Sequence, residues 1–92
     1  MSMLDPVIHQ ATRLQILALI HRNREMSFNE LCQALHLTEG NLGAHAERLM
    51  EAQYIETFSA LAGTRFEKRY RLTTRGSDAF RAYREELARL LS

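Results

Sequence analysis

Cys32 is the only cysteine in the chain and the first candidate for covalent chemistry. It falls on the apolar stripe Leu31, Cys32, Leu35 of a short helical pattern, where a free thiol serves as packing rather than as a nucleophile. The histidines His9, His21, His36 and His45 have no i, i+4 partner among themselves and no cysteine pair beside them, so no metal site is expected. Glu85 and Glu86 are adjacent on a helical segment and do not face each other. No glycine-rich loop has phosphate-binding spacing. These residues give no reason to expect a catalytic residue or a cofactor.

Recognition chemistry is legible elsewhere. The stretch LTEGNLGAHAERLMEAQYI, residues 37–55, has helical period with Thr38 as its cap. Leu42, Ala46 and Leu49 point inward. Gly40, Asn41, Ala44, Glu47, Arg48 and Glu51 point outward, with Gly43 and His45 on the flanks. Glycine inside a helix costs roughly 1 kcal/mol relative to alanine. Two glycines and an alanine on one outer surface suit a helix that must approach another body closely. Asn41 carries the donor and acceptor that match an adenine edge, and His45 and Arg48 can reach bases or phosphates. Against this, Glu47 and Glu51 oppose tight phosphate contact at the far end of the same helix.

A second basic element follows. Residues 65–75 hold Arg65, Lys68, Arg69, Arg71 and Arg75 against one acid, Glu67. Charge concentrated on one ribbon suits an element lying along a phosphate backbone. Arg65, Lys68 and Arg69 are the candidate contacts, being at or near the exposed end. Arg71 and Arg75 are nearer the body, where acids can pair with them.

Those side chains need elements to hold them. Asp5 followed by Pro6 predicts a helix start, with the helix running to about His21 and Val7, Ala11, Leu14 and Ala18 as its stripe, widened by Ile8, Leu17 and Ile20. Ser27 with Glu30 three residues on is a capping box for a second helix. Thr38 opens the third, which ends near Ala52; two helices this close read as a helix-turn-helix. The runs YIETFSA and FEKRYRL alternate as strands joined by a turn at Gly63. Phe66, Lys68, Tyr70 and Leu72 share one face, and Glu67, Arg69 and Arg71 the other. Thr73 or Thr74 caps a last helix lined by Ala79, Tyr83, Leu87 and Leu90, with Phe80 and Leu91 beside them. The expected fold is mainly α with a small β-hairpin: a winged helix-turn-helix made of a three-helix core, a two-stranded wing and a C-terminal helix, forming one domain over residues 1–92.

Composition bounds the rest. The chain has 92 residues, 46% hydrophobic and 25% charged, with a formal net charge of +1. It can bury one modest core, and oligomerisation is a natural way for so small a domain to gain stability. Ile8, Leu19 and Ile20 exceed a single core-facing stripe, and Tyr83, Leu87, Leu90 and Leu91 gather near the C-terminus, so these residues are the expected interface of a homodimer. No apolar run is long enough to span a bilayer, no signal-peptide pattern opens the chain, and the single cysteine suits a reducing compartment. The expected location is the cytoplasm.

The segments LDPVIHQATRLQILALI, SFNELCQALHLTEGNLGAHAERLMEAQYIE and KRYRLTTRGSDAFRAY together resemble the short winged-helix transcriptional regulators related to the MarR and ArsR families. The resemblance spans Leu4 to about Leu91 and is carried best by LTEGNL.AH...L, A.YIE and Y.LT..G. It implies a homodimeric, prokaryotic, DNA-binding regulator with the third helix in the major groove and the wing on the backbone. The chain departs from the family pattern at Gly43, where serine is common, and at Ala44, where a basic residue is common. It also departs at Ala46, usually leucine, at Gln53, usually glycine, and at Phe58 and Ser59, where the first wing strand is often basic. It lacks the cysteine or histidine sensor motif of many ArsR-type proteins.

The expected function is a transcriptional regulator, a repressor by preference, reading double-stranded DNA through Thr38, Asn41, Gly43, Ala44, His45, Arg48, Arg65, Lys68 and Arg69, with no expectation about a small-molecule effector. A different class remains open: a protein-interaction module that keeps the fold and uses the third helix or Phe58 to hold a partner. The lost basic positions favour the module and the basic wing favours DNA. RNA binding is disfavoured by the lack of stacking aromatics on a sheet face.

Overall fold

A computed structural model describes residues 4–92, in the order α1 (Ala11–Asn23), β1 (Glu25–Ser27), α2 (Phe28–Leu35), α3 (Glu39–Glu51), β2 (Ile55–Ala62), β3 (Arg65–Leu72) and α4 (Thr74–Leu91). Short polar side chains set the helix starts. Ser27 Oγ accepts the Glu30 amide at 3.0 Å while the Glu30 carboxylate accepts the Ser27 amide at 2.8 Å, completing the capping box of α2. Thr38 Oγ1 accepts the Asn41 amide at 3.1 Å and opens α3. Thr73, rather than Thr74, opens α4 by accepting the Gly76 amide at 2.9 Å. Each cap satisfies an amide that has no partner inside its helix.

The first helix starts later than Asp5-Pro6 predicts. Asp5 does act as a cap, but of an isolated turn: its carboxylate accepts the Val7 amide at 2.9 Å and its carbonyl accepts the His9 amide at 2.7 Å. Gln10 is then extended, at φ −149° and ψ 129°, and its side chain caps α1 by accepting the Arg13 amide. The inward stripe moves accordingly, with Ile16, Leu17 and Ile20 fully buried and Ala11 exposed.

The β2–β3 hairpin belongs to a three-stranded antiparallel sheet in the order β1-β3-β2. Its extra strand, β1, falls in a polar stretch that showed no alternation, and it pairs Glu25 with Arg71 and Ser27 with Arg69. β2 and β3 pair from Ile55↔Leu72 to Ala62↔Arg65, leaving Gly63 and Thr64 as the turn. Gly63 has φ +67°, a conformation that suits glycine in a two-residue hairpin turn.

The core lies where α1, α2, α3 and the base of the sheet meet. Ile8, Ile16, Leu17, Ile20, Leu31, Leu42 and Leu49 are fully buried, with Tyr70, Phe80 and Tyr83 closing over them. The junction after α3 is tied to the start of α4. Gln53 takes φ +63° where glycine is common in the resembled family, and Tyr54 follows with its amide on the Leu49 carbonyl at 2.9 Å. The Tyr54 carbonyl accepts the Thr73 amide at 3.0 Å, and Thr73 Oγ1 donates to the Gln53 carbonyl at 2.6 Å. The LT..G motif is therefore a lock between α3 and α4.

Candidate nucleic-acid interface

α3 turns Leu42, Ala46 and Leu49 into the core and leaves Asn41, Ala44, Glu47 and Arg48 exposed, with Gly43 and His45 half-buried at the margins. A Cβ added to Gly40 or to Gly43 would meet no other part of the described residues within 4 Å. Neither glycine is needed for packing against the described residues. Among the described residues the Asn41 side chain makes no hydrogen bond and Arg48 no ion pair. The Asn41 group engaged with Thr38 is its backbone amide, so its carboxamide stays available.

His45 is held from behind. Its Nδ1 lies 3.3 Å from an Arg13 guanidinium nitrogen. A guanidinium only donates, so Nδ1 accepts and the ring proton sits on Nε2. Burial first, and the Arg13 charge second, push the His45 pKa below its usual value. At neutral pH the imidazole is therefore a neutral donor through Nε2–H. Arg13 also donates through Nε to the Val7 carbonyl at 2.6 Å, joining the N-terminal turn to α3. Arg13 was not singled out in the sequence, where it reads as one more basic residue of a surface helix. Nothing in its spacing marks the contact with His45, 32 residues away.

The wing cations divide into two groups. Arg65 and Lys68 are exposed and have no carboxylate partner among the described residues; Lys68 Nζ lies 5.8 Å from the Phe28 ring centre and 5.6 Å from that of Tyr70. Arg69 corrects the expectation of a free phosphate contact. Its guanidinium is paired with Glu67 at 2.6 Å, Glu25 at 2.9 Å and Glu30 at 3.2 Å, and its side chain is 18% exposed. Hydrogen bonding to Glu67 is the largest of the effects that hold its proton more tightly than usual. Three carboxylates from β1, α2 and β3 converge on it, and only β3 was visible as its neighbour in the sequence. Arg71 pairs with Glu56 at 2.9 Å and lies over the Phe58 ring, and Arg75 donates to the Ala52 carbonyl at 3.1 Å.

The expected dimer residues also divide. Ile8 and Ile20 are fully buried and Tyr83 is 4% exposed, all within one chain, so they are core and not free surface. The segment before α1 folds back because the Tyr54 hydroxyl donates to the Asp5 carboxylate and His9 Nδ1 hydrogen-bonds the Tyr83 hydroxyl at 2.8 Å. Leu19 and Leu87 are half-buried, while Leu90 and Leu91 are 45% and 77% exposed on the last turn of α4. Two further apolar side chains, Leu61 and Phe66, stand 64% and 75% exposed near the wing tip. Strand alternation places them on the face of Tyr70, but the length by which the wing outruns the core is not legible in that alternation.

Cys32 is half-buried beside this framework. Burial, with the Glu39 charge adding to it, pushes its thiol pKa up and disfavours the thiolate. Among the described residues no cluster of histidine, cysteine and carboxylate could hold a metal ion. No helix of the described residues is long and apolar enough to cross a membrane.

A capped helix-turn-helix with an exposed, small-residue second helix and a basic two-stranded wing defines a winged helix. A family model for the winged helix DNA-binding domain matches residues 12–91, and the chain belongs to that family. It is 32% identical over 84 residues to an uncharacterized protein of Methanocaldococcus jannaschii, with 91% of each chain covered. The fold is similar to a transcriptional regulator homologue from Pyrococcus horikoshii, with a TM-score of 0.87 at 22% identity over 95% of this chain and 86% of that one. It is also similar to a variant of MarR from E. coli complexed with operator DNA, with a TM-score of 0.79 at 21% identity over 91% of this chain and 59% of that one. The architecture is thus MarR-like.

Proposed function

We propose that this protein is a transcriptional regulator, acting as a repressor in the prokaryotic cytoplasm, that reads duplex DNA with α3 and steadies itself on the backbone with the wing. The observation that carries this is the surface of α3. Gly43, inside α3, costs the helix roughly 1 kcal/mol, and a side chain on Gly43, or on Gly40 in the first turn, would meet no other part of the described residues. A cost with no return inside the fold points to a partner that must come close. Asn41, His45 and Arg48 beside them supply two-way, donor-only and cationic contacts, a set suited to base edges and phosphates. Thr38, Asn41, Gly43, Ala44, His45 and Arg48 on α3, with Arg65 and Lys68 on the wing, form the proposed contact set. The operator-bound MarR structure supports this use of the fold.

The working form is proposed to be a homodimer built on Leu19, Leu87, Leu90 and Leu91, with the terminal helices of this one domain joined across a twofold axis. Such an axis would set two α3 helices about one DNA turn apart, roughly 34 Å. The contending reading, a protein-interaction module, draws support from the exposed Glu47 and Glu51 at the end of α3.

Selection of bound fragments from genomic DNA by the purified protein tests the proposal. The expected result is a recurring site with twofold symmetry, at which Asn41→Ala loses about 1–3 kcal/mol of discrimination against a scrambled duplex. Recovery of no preferred fragment, with no salt-sensitive retention on heparin, would overturn it.

A further inference from the structure

We propose that Leu61 and Phe66 form an apolar wedge that the wing drives between base pairs from the minor groove, bending the DNA; this rests on the DNA-binding reading above. The two residues are cross-strand partners, one pair inward from the turn-flanking pair Ala62↔Arg65. Side chains of directly paired residues on one sheet face are in contact range. Toward the base of the wing the same face carries Tyr70, which is buried, and Leu72, which packs on the core. Toward the tip it runs past the body of the protein, and Leu61 and Phe66 stand 64% and 75% exposed.

Charge identifies the occupant. Arg65 precedes Phe66, and Lys68 follows it on the same face. Both cations lack a carboxylate partner among the described residues, whereas Arg69 and Arg71 further down the ribbon are neutralised by acids of the chain. The apolar pair is thus flanked by the wing's unpaired cations, as a wedge that enters between two phosphate strands requires. Size decides against a protein partner. A stable protein interface takes about 800 Å² from each side, far more than two side chains on a narrow ribbon present. One or two apolar side chains are the usual size of a wedge inserted at a DNA step, where they unstack the bases and bend the helix. Pyrimidine–purine steps unstack most readily and are the expected targets.

The test uses the full chain and a duplex recovered by selection, with 2-aminopurine placed at its pyrimidine–purine steps. Parent protein is expected to raise the 2-aminopurine emission at one step per wing and to bend the duplex in a circular-permutation assay. Phe66→Ala is expected to bind roughly tenfold more weakly, the share of affinity lost with one buried aromatic side chain. It should lose both the emission rise and the bend, with an unchanged salt slope. Leu61→Ala should do the same to a smaller degree. The chain contains no tryptophan, so Phe66→Trp supplies a single reporter whose emission should be quenched on binding while affinity is kept. If Phe66→Ala binds, bends and unstacks as the parent does, the wedge is overturned; the α3 reading stands as long as Ala44→Glu still abolishes binding. If the parent binds no duplex, both readings fall together.

Discussion

The backbone carbonyl of Tyr54 occupies the space that a side chain on Gly76 would need. Gly76 lies in the first turn of α4, and an added Cβ would overlap backbone atoms of Tyr54 that cannot rotate away. The same carbonyl accepts the Thr73 amide, so relief would break the lock between α3 and α4. Gly76→Ala is expected to destabilise the protein by about 3 kcal/mol, the upper end of ordinary overpacking costs. Chemical denaturation of the two proteins checks it.

At Gly43 the same substitution should have the opposite sign. The added Cβ meets open space within a helix, so Gly43→Ala should stabilise by up to about 1 kcal/mol. If close approach to DNA is the reason for the glycine, the variant melts higher and binds its selected duplex more weakly. Stability and affinity measured on one preparation would separate this from a neutral surface position.

The two kinds of wing cation should behave differently in salt. Arg65→Ala and Lys68→Ala are each expected to lower the slope of log K against log salt by about 1, with similar losses on selected and random duplexes. Arg69→Ala should leave that slope unchanged. It should instead lower stability by about 1 kcal/mol, because Glu25, Glu30 and Glu67 would lose their shared cation in a partly exposed setting. A slope that falls for Arg69→Ala as much as for Arg65→Ala would contradict this division.

His45 gives the protein a pH dependence of known sign. Its folded pKa lies below the usual 6.5, so the unfolded chain takes up the proton first as pH falls. The stability this neutral imidazole contributes is present above about pH 6.5 and is lost as pH drops through the folded pKa. Protonation would also place a proton on Nδ1 and break the contact with Arg13. Melting curves of parent and His45→Gln between neutral pH and pH 5 check this: the parent should lose more stability than the variant over that interval.

How much of this was legible in the sequence depended on the range of each interaction. The capping box at Ser27 and Glu30, the Thr38 cap and the inward set Leu42, Ala46 and Leu49 are local, and each could be read from spacing alone. Asp5-Pro6 was also a sound local signal, but a turn uses the same cap as a helix, and the extended Gln10 intervenes before α1. β1 is three residues long and shows no alternation. The expected freedom of Arg69 failed because Glu25 and Glu30 reach it from elements distant in sequence. Ile8 looked surplus because the helical wheel ran through residues that form a separate turn before α1, and Ile20 because spacing does not show how many elements close on one core. Arg13 behind His45 is the same kind of long-range contact.

The proposed entry of α3 into the DNA groove is tested most directly by Ala44→Glu. Ala44 is exposed and outward-facing, so the glutamate should fold normally; its bulk and its charge both oppose a phosphate-lined groove. Binding of parent and variant to the selected duplex, titrated by fluorescence anisotropy at one fixed salt concentration with melting temperatures recorded alongside, gives the answer. Ala44→Glu is expected to show no detectable binding at an unchanged melting temperature. A variant that binds the duplex as tightly as the parent would take α3 out of the groove and leave the protein-interaction reading in its place.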